Sequence, residues 1–272
     1  MDRITSTQNP KVKALRALRQ RKYRAREGRY LIEGIRIVEE ALDLGAPLET
    51  LVYAPELLVS ERAQALVERV EPARRLALAA EVFASLSDRD QPQGIAAVMR
   101  IQEPTLQELP LSSDLLVLVA VQLRDPGNLG SIIRTADAAQ ATAVVIVEPS
   151  ADLYDPLTVR ATMGSLYALP IVRIAEEAML APWVASQRAA GFPLRVVASS
   201  AHGEQVYYDV DYAGPLVLLI GNEQRGLPPQ LRAEADVTVR LPMGGRATSL
   251  NVSAATAAMV FEVLRQRRNS GR

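Results

Sequence analysis

The sequence predicts an α/β protein of two domains, the second of which is built on a parallel sheet. The chain has 272 residues, 49% of them hydrophobic and 4% aromatic, so sizeable cores can form from Leu, Val, Ile and Ala. Short apolar runs alternate with helical patterns, which is typical of parallel sheets with helices on both faces. A proline-containing stretch with little periodicity, IQEPTLQELPLSSD, interrupts the alternation. We therefore expect domains at residues 1–100 and 114–272, joined by a linker at 101–113.

The first domain is predicted to begin with a basic helix at residues 10–26. Pro10 suits the first turn of a helix, and Val12, Leu15 and Leu18 form a thin apolar stripe. A small α/β unit follows. We expect its strands at 30–32, 51–53, 76–78 and 94–99, and its helices at 34–44, 60–70 and 81–86.

The second domain opens with a continuous apolar run at 115–121, of the kind found in central parallel strands. Asp155 and Pro156 resemble an N-cap and first turn, and they predict a helix that reaches about residue 166. We expect further strands at 143–147, 171–174, 194–198, 215–220 and 237–241, and further helices at 128–140, 175–190, 228–234 and 250–268. The last helix carries an apolar face formed by Val252, Met259, Val260, Val263 and Leu264.

Composition excludes several classes of site. The chain has no cysteine, so disulfides, thiolate metal sites and thiol nucleophiles are impossible, and a single histidine, His202, cannot form a multi-histidine metal site. No apolar run approaches the roughly 18 residues of a membrane-spanning helix. The N-terminus is polar and basic, unlike a signal peptide. We expect a cytoplasmic protein with neither metal nor membrane contact.

Charge is distributed unevenly although the net charge is zero. Residues 1–29 carry ten Lys and Arg against two acidic residues, and the last eight residues add four Arg. A basic arm on an acidic body favours a polyanionic partner such as nucleic acid; a solvated basic helix, or an arm that packs on the first domain, is the alternative. The candidate RNA-binding residues are Lys11, Lys13, Arg21, Lys22, Arg24 and Arg26.

Three loops follow strands of the second domain, where ligands bind in open α/β sheets. In the first loop, Asn128 can cap a helix and Arg134 lies about one and a half turns further on, either as a functional cation or as a surface partner of Asp137. The second, GNEQRGLPP at 221–229, lacks the Lys-Ser/Thr of a phosphate-binding loop, and Glu223 there is more often a turn residue than a catalyst. In the third, Ser249 is a plausible N-cap for the last helix.

Taken in order, these loops resemble the SpoU family of RNA ribose 2′-O-methyltransferases, within the SPOUT superfamily. The stretches that carry the resemblance are DPGNLGSIIRTA (125–136), LLIGNEQRGL (218–227) and LPMGGRATSLNVSAATA (241–257). Upstream, ITSTQNPKVKALRAL, YLIEGIRIVEEAL and QPQGIAAV resemble the leader and substrate-binding domain of the ribosomal-RNA branch. One departure is Thr248, where the family often has an acidic residue.

The resemblance implies a fold and a cofactor. It implies an L30e-like first domain and a SPOUT second domain with a deep trefoil knot, a feature otherwise nearly absent from proteins. It also implies S-adenosylmethionine, and a homodimer whose site lies at the interface, with the apolar face of the last helix supplying much of the contact. The implied cofactor-binding residues are Gly221, Asn222, Leu241, Met243, Ser249 and Leu250.

The implied reaction is methyl transfer to a ribose 2′-hydroxyl, most simply of 23S-type ribosomal RNA. The family resemblance assigns the central role to Arg134. Because guanidinium is effectively always protonated, we interpret Arg134 as a fixed cation that lowers the hydroxyl pKa or grips a phosphate. Asn128 would position Arg134 or the ribose, and Glu223, Ser249 and Asn251 would complete the pocket. A transfer-RNA enzyme, a non-catalytic RNA-binding module and an enzyme acting on small molecules remain alternatives.

Overall fold

The computed structural model describes residues 3–269 and divides into two compact units. Unit 1 comprises the chain up to Gln102 together with Tyr154–Tyr167, and unit 2 comprises Glu103–Leu153 with the chain from Ala168 onward. The first boundary falls close to the expected linker. The segment 154–167, expected in the second domain, packs instead within unit 1.

Unit 1 contains a four-stranded sheet covered by short helices. Elements are numbered in chain order. Its strands are β1 (Arg29–Glu33), β2 (Leu48–Tyr53), β3 (Arg75–Ala77) and β4 (Ile95–Arg100). Its helices are α1 (Pro10–Ala17), α2 (Arg21–Glu27), α3 (Ile35–Asp43), α4 (Glu61–Glu68), α5 (Ala80–Ala84) and α7 (Pro156–Thr162). The strand order is β1-β4-β2-β3, in which only the β2–β3 pair is parallel.

The basic arm forms two helices, not the single helix predicted for 10–26. The chain breaks after α1 because Leu18 turns into the same core that buries Val12 and Leu15, and Gln20 then adopts an extended conformation. The Arg24 side chain is 3% exposed, and its guanidinium donates to the carbonyl oxygens of Leu18 (2.9 Å) and Arg19 (2.6 Å). Carbonyls left without a partner at the end of α1 are thereby satisfied by a side chain of α2.

Helix α7 is held in unit 1 by polar and aromatic contacts. Asp155 caps it by accepting from the Leu157 N–H (2.9 Å), and it ends at Thr162, earlier than predicted, because Met163 adopts a left-handed conformation. Tyr154 packs its ring on Tyr30, with centroids 4.4 Å apart. The following segment joins the same cluster, because the Tyr30 hydroxyl lies 3.2 Å from the hydroxyl of Tyr167.

Unit 2 is built on a seven-stranded parallel sheet, which confirms the predicted fold class. Its strands are β5 (Leu116–Val121), β6 (Ala143–Val147), β7 (Ile171–Ile174), β8 (Arg195–Ser199), β9 (Gln205–Val206), β10 (Leu216–Ile220) and β11 (Val237–Arg240), and its helices are α6 (Pro126–Ala138), α8 (Leu180–Ala189), α9 (Pro229–Ala233) and α10 (Val252–Asn269). The order is β7-β6-β5-β10-β8-β11-β9. The two-residue strand β9 was not predicted, because it is too short to show a periodicity.

The final helix, α10, packs against α6 of its own chain. Thr256, Met259, Val260 and Val263 are buried in this contact region. Of the face expected to supply the dimer contact, Met259, Val260 and Val263 are thus covered by the chain itself, while Val252 and Leu264 stay partly exposed. The trefoil knot stays an expectation from the family resemblance.

Within the described range, no helix is long and apolar enough to cross a membrane.

Candidate functional site

The three loops singled out in the sequence meet at one edge of the parallel sheet. Strands β5 and β10 are neighbours, and Ala120 pairs with Ile220, so the residues that follow them leave the sheet side by side. The Asn222 side chain bridges the two loops by donating to the carbonyl oxygen of Gln122 (2.7 Å). Chain connections diverge on either side of β5, which makes this crevice the expected ligand site of an open α/β sheet.

The loop after β10 is a tight turn that only glycine can begin. Asn222 and Gly226 exchange backbone hydrogen bonds of 3.0 and 2.9 Å. The side-chain oxygen of Asn222, Oδ1, accepts from the backbone N–H groups of Gln224 and Arg225. A Cβ on Gly221 would lie 2.5 Å from the carbonyl carbon of Gly226 and from the nitrogen of Leu227. Gly221 thus lets the backbone of Gly226 and Leu227 approach closely, and Glu223 lies exposed in the turn.

A chain of hydrogen bonds joins one polar side chain from each loop. Asn251 Nδ2 donates to Asn128 Oδ1 (3.0 Å), and Asn128 Nδ2 donates to Glu223 Oε1 (3.1 Å). The second carboxylate oxygen of Glu223 lies 3.4 Å from the backbone nitrogen of Arg124. Three residues predicted for the site, separated by up to 123 positions in sequence, therefore form one network.

The two helix caps predicted in the site loops are wrong, unlike the Asp155 cap of α7, and other residues take their place. Asp125, not Asn128, caps α6: its carboxylate accepts from the Asn128 N–H (2.7 Å), which leaves the Asn128 side chain available for the site. Asn251, not Ser249, caps α10, because its side-chain oxygen accepts from the Ser253 N–H (2.9 Å). Ser249 is exposed and lies outside the network.

Arg134 lies on α6, beyond Asn128, with its side chain exposed to solvent. It forms no hydrogen bond or salt bridge with any residue from 3 to 269, so the alternative pairing with Asp137 is not formed. A cation held on a rigid helix and left without a partner is available to a substrate anion or hydroxyl.

The loop between β11 and α10 is open to solvent. Residues 242–250 are exposed and make no hydrogen bonds with the rest of the described chain. Met243 and Leu250 are 37% and 47% exposed although both are apolar. Leu241 is partly covered at the end of β11. The free backbone groups and apolar side chains of this loop, which leads to Asn251 of the polar network, fit an adenosyl group with a short charged tail, which is the shape of S-adenosylmethionine.

The candidate RNA-binding residues of the arm differ in availability. Lys11, Lys13, Arg21, Lys22 and Arg26 are exposed, and Arg26 is also paired with Glu27 (2.7 Å). Arg24 is not an RNA-binding residue, because its guanidinium is buried against carbonyls of its own chain.

The arm also carries an aromatic residue, Tyr23, that was not among the predicted RNA-binding residues. Tyr23 has the ammonium of Lys22 4.9 Å and the guanidinium of Arg26 4.8 Å from its ring centroid. The signal was present as a tyrosine within the basic run RKYRAR, a pattern typical of surfaces that bind nucleic acid.

In the part of the chain that the structure describes, no group of three or more His, Asp or Glu side chains could hold a metal ion.

Two family models match successive parts of the chain, and segment 154–167, which packs in unit 1, lies within the C-terminal match. Residues 115–261 match the model of the SpoU rRNA Methylase family, and residues 9–97 match that of the MRM3-like substrate binding domain. The first match includes the three loops of the site, and the second includes the arm.

Relatives and solved structures cover nearly the whole chain. A 23S rRNA (uridine(2479)-2′-O)-methyltransferase of Streptomyces viridochromogenes is 37% identical, over 97% of this chain and 92% of its own. The 23S rRNA (guanosine(2553)-2′-O)-methyltransferase RlmP of Bacillus subtilis is 32% identical, over 97% of this chain and 99% of its own. The crystal structure of the SpoU methyltransferase AviRb from S. viridochromogenes with AdoMet superposes with a TM-score of 0.89 at 36% identity, covering 96% of this chain and 99% of that one. The crystal structure of an rRNA methyltransferase from Sinorhizobium meliloti superposes with a TM-score of 0.85 at 39% identity, covering 97% of each chain.

Proposed function

The chain belongs to the SpoU rRNA methylase family, and from this premise we propose that it methylates a ribose 2′-hydroxyl of large-subunit ribosomal RNA. It is an S-adenosylmethionine-dependent RNA (ribose-2′-O)-methyltransferase. The observation that carries the proposal for this chain is the network of Asn128, Glu223 and Asn251 at the sheet edge, since it assembles the polar side chains of all three family motifs. A ribosomal-RNA substrate also supports the expected cytoplasmic location.

The cofactor would be held mainly by backbone. Gly221 and Asn222 would present the turn after β10, and Leu241, Met243, Ser249 and Leu250 would enclose the adenosyl group from the open loop. When bound, S-adenosylmethionine supplies an electrophilic methyl group on a sulfonium. Thr248 brings no carboxylate to this loop, so no acidic contact is available at that position.

The protein's part in the reaction is to align and activate the 2′-hydroxyl. Arg134 provides a fixed positive charge beside the hydroxyl or its neighbouring phosphate, and a nearby cation lowers the pKa of a hydroxyl by stabilising its anion. The Asn128–Glu223–Asn251 network holds the loops in register, so that the ribose is oriented for in-line attack. The carboxylate of Glu223 is placed to accept a hydrogen bond from the ribose or from the cofactor.

RNA binding extends to unit 1 through the exposed cations of the arm. Lys11, Lys13, Arg21, Lys22 and Arg26 would contact phosphates, while Tyr23 offers an aromatic ring among them. Such contacts fix position but do not read sequence.

We also propose that the protein is a homodimer, through a different face of α10 from the one expected. Phe261 is 48% exposed, and Ala254, Ala258 and Arg265 share its face at helical spacing. A large exposed aromatic among small residues is typical of interfaces.

The test of the proposed function is a map of 2′-O-methyl groups in RNA from cells with and without the protein. One large-subunit ribosomal position should lose methylation without the protein, and the purified protein with S-adenosylmethionine should restore it on unmethylated ribosomal RNA. A lost site in transfer RNA, or tight cofactor binding without transfer to any RNA, would refute the substrate assignment.

A further inference from the structure

Each of the three site loops carries one arginine that the reaction described above does not use. Arg124 follows β5, Arg225 lies on the turn after β10, and Arg246 lies in the open loop before α10. All three are exposed, and none of their side chains has a hydrogen bond or ion pair with a residue that the structure describes. The side chains of these three arginines therefore stabilise unit 2 by no hydrogen bond or ion pair among the described residues.

Most other arginines of unit 2 are engaged. Arg173 binds Glu148 (2.8 Å), Arg188 binds Asp236 (2.5 Å), and Arg265 binds Glu262 (2.7 Å). Arg195, Arg240 and Arg267 donate to backbone carbonyl oxygens. Besides Arg134 and the three loop residues, only Arg232 and Arg268 among the described arginines of this unit lack such a partner, and neither belongs to the site loops.

The loops hold the three arginines close to the polar network. The backbone nitrogen of Arg124 lies 3.4 Å from the Glu223 carboxylate, and the Arg225 N–H donates to Asn222 Oδ1 (3.0 Å). Arg246 is five residues before Asn251, so their Cα atoms are at most about 18 Å apart. The three arginines thus lie on the three loops that the Asn128–Glu223–Asn251 network joins, within reach of an RNA strand bound there.

The acidic groups of the same loops are fewer than the arginines. Asp125 and Glu223 accept hydrogen bonds from neutral N–H groups and keep their negative charges, and they stand against the three loop arginines and Arg134. The rim of the crevice is left with a net positive charge from guanidinium groups, whose planar donors match phosphate oxygens.

We propose that Arg124, Arg225 and Arg246 form a phosphate clamp that grips the RNA backbone on both sides of the ribose to be methylated. This inference rests on the proposed function and names how its substrate is held. The clamp requires charged phosphates flanking the target, reads no base, and excludes free nucleosides as substrates.

The test uses the full-length protein and a short fluorescent oligouridylate, whose binding is measured across a salt series without turnover. Arg124→Gln, Arg225→Gln and Arg246→Gln should each weaken binding and reduce the slope of log K against log salt by about 0.7, the value for one phosphate contact on a single strand. The triple variant should lose about two units of slope. Arg232→Gln, an exposed and unpaired arginine on α9, is the matched control and should behave as wild type.

A second probe locates the contact on the RNA. Oligouridylates in which one linkage is an uncharged methylphosphonate should bind wild type more weakly, and the loss should vanish in the glutamine variants. Affinity for S-adenosylmethionine should stay unchanged in all variants. An unaltered salt slope in the triple variant would overturn the clamp. Failure of wild type to methylate any ribosomal RNA would refute the proposed function while leaving the salt-slope result to stand by itself.

Discussion

Asn128 is the residue of the first loop that forms hydrogen bonds with both of the other loops of the site. Its amide accepts from Asn251 with one atom and donates to Glu223 with the other, so both ends are used. An aspartate has the same shape but can only accept a hydrogen bond when ionised. Substitution at this position therefore separates the shape of the network from its hydrogen-bond polarity.

Asn128→Asp should lower the methylation rate more than Asn128→Ala, because it places a carboxylate against that of Glu223 and like charges repel. The double variant Asn128→Asp, Glu223→Gln should recover part of the loss, since the glutamine amide can donate back to the new aspartate. Single-turnover methylation and cofactor affinity on all four proteins give the measurement. Equal rates in the single and double variants would show that the network does not position the site.

Arg134 is the residue expected to act on the hydroxyl itself. Arg134→Ala should lose most methyl transfer, by at least about a hundredfold for a charge that stabilises the transition state, while S-adenosylmethionine still binds. Arg134→Lys should also be poor, because lysine lacks the planar fork. Single-turnover assays measure the methyl-transfer rate of each variant, and titration calorimetry with S-adenosylmethionine measures its cofactor affinity as the control. Near-normal turnover of Arg134→Ala would remove it from the mechanism.

At the scale of elements, the arm serves folding as well as charge. Val12, Leu15 and Leu18 are buried in the core of unit 1, so removing the arm would destabilise the domain whatever its part in RNA binding. Charge and packing lie on different residues of the same two helices. They can therefore be separated by substitution where truncation cannot separate them.

A combined Lys11→Gln, Lys13→Gln, Lys22→Gln variant should keep the wild-type melting temperature and bind RNA with a salt slope reduced by about two units. Arg24→Gln should show the reverse. Its RNA affinity should keep the wild-type salt slope, but the free energy of unfolding should fall by about 2 kcal/mol, because the Leu18 and Arg19 carbonyls lose their donor. Thermal unfolding and RNA titration on both proteins give the comparison. A wild-type salt slope in the lysine variant would make the arm purely structural.

The last helix is tied to the sheet by Arg267. Its guanidinium donates to the carbonyl oxygens of Asp114 (2.5 Å), Leu115 (3.1 Å) and Gly214 (2.8 Å), close to where β5 and β10 begin. Burial lowers the pKa of this arginine, yet the group stays charged at any working pH. Its loss would free the end of α10 that lies farthest from the site.

Arg267→Met should destabilise unit 2 by roughly 2–3 kcal/mol, since three carbonyls lose a charged donor. Arg268→Met, an exposed neighbour without a partner, is the control and should be neutral. Differential scanning calorimetry compares the two proteins. Equal melting temperatures would mean that the carbonyls are satisfied equally well by water.

Sequence periodicity predicted most strands and helices, because apolar runs such as 116–121 leave few alternatives. It failed where tertiary contacts decide, as at Leu18, which ends α1 by turning into the core, and at Met163, whose left-handed backbone ends α7. The site residues were predicted from motifs, but their hydrogen-bond partners were not, since Asn128 and Asn251 are brought together only by packing of α6 on α10. Arg24 showed the limit of charge counting, because its burial has no signature in a basic run.

For the molecule as a whole, the exposed face around Phe261 makes a dimer testable. Phe261→Asp should give a monomer in light scattering at micromolar concentration, because it places a charge in the apolar contact. The methylation rate should fall together with the loss of the dimer, because we expect the partner subunit to complete the site. Val59→Asp, which changes a valine that is 95% exposed in unit 1, is the control and should match wild type. A monomeric Phe261→Asp protein with full activity would rule out a site built at the interface.

Segment 154–167 belongs to unit 1 but is inserted in the sequence of unit 2. The polypeptide passes from one unit to the other after Gln102, after Leu153 and again after Tyr167, so no single cut separates them. A recombination event that exchanged everything before the linker would leave Tyr154, Val159 and Leu166 without β1 and α3, against which their segment packs. A cut at the linker therefore leaves segment 154–167 without the strand and helix that cover it, although this segment lies within the stretch that matches the SpoU family model.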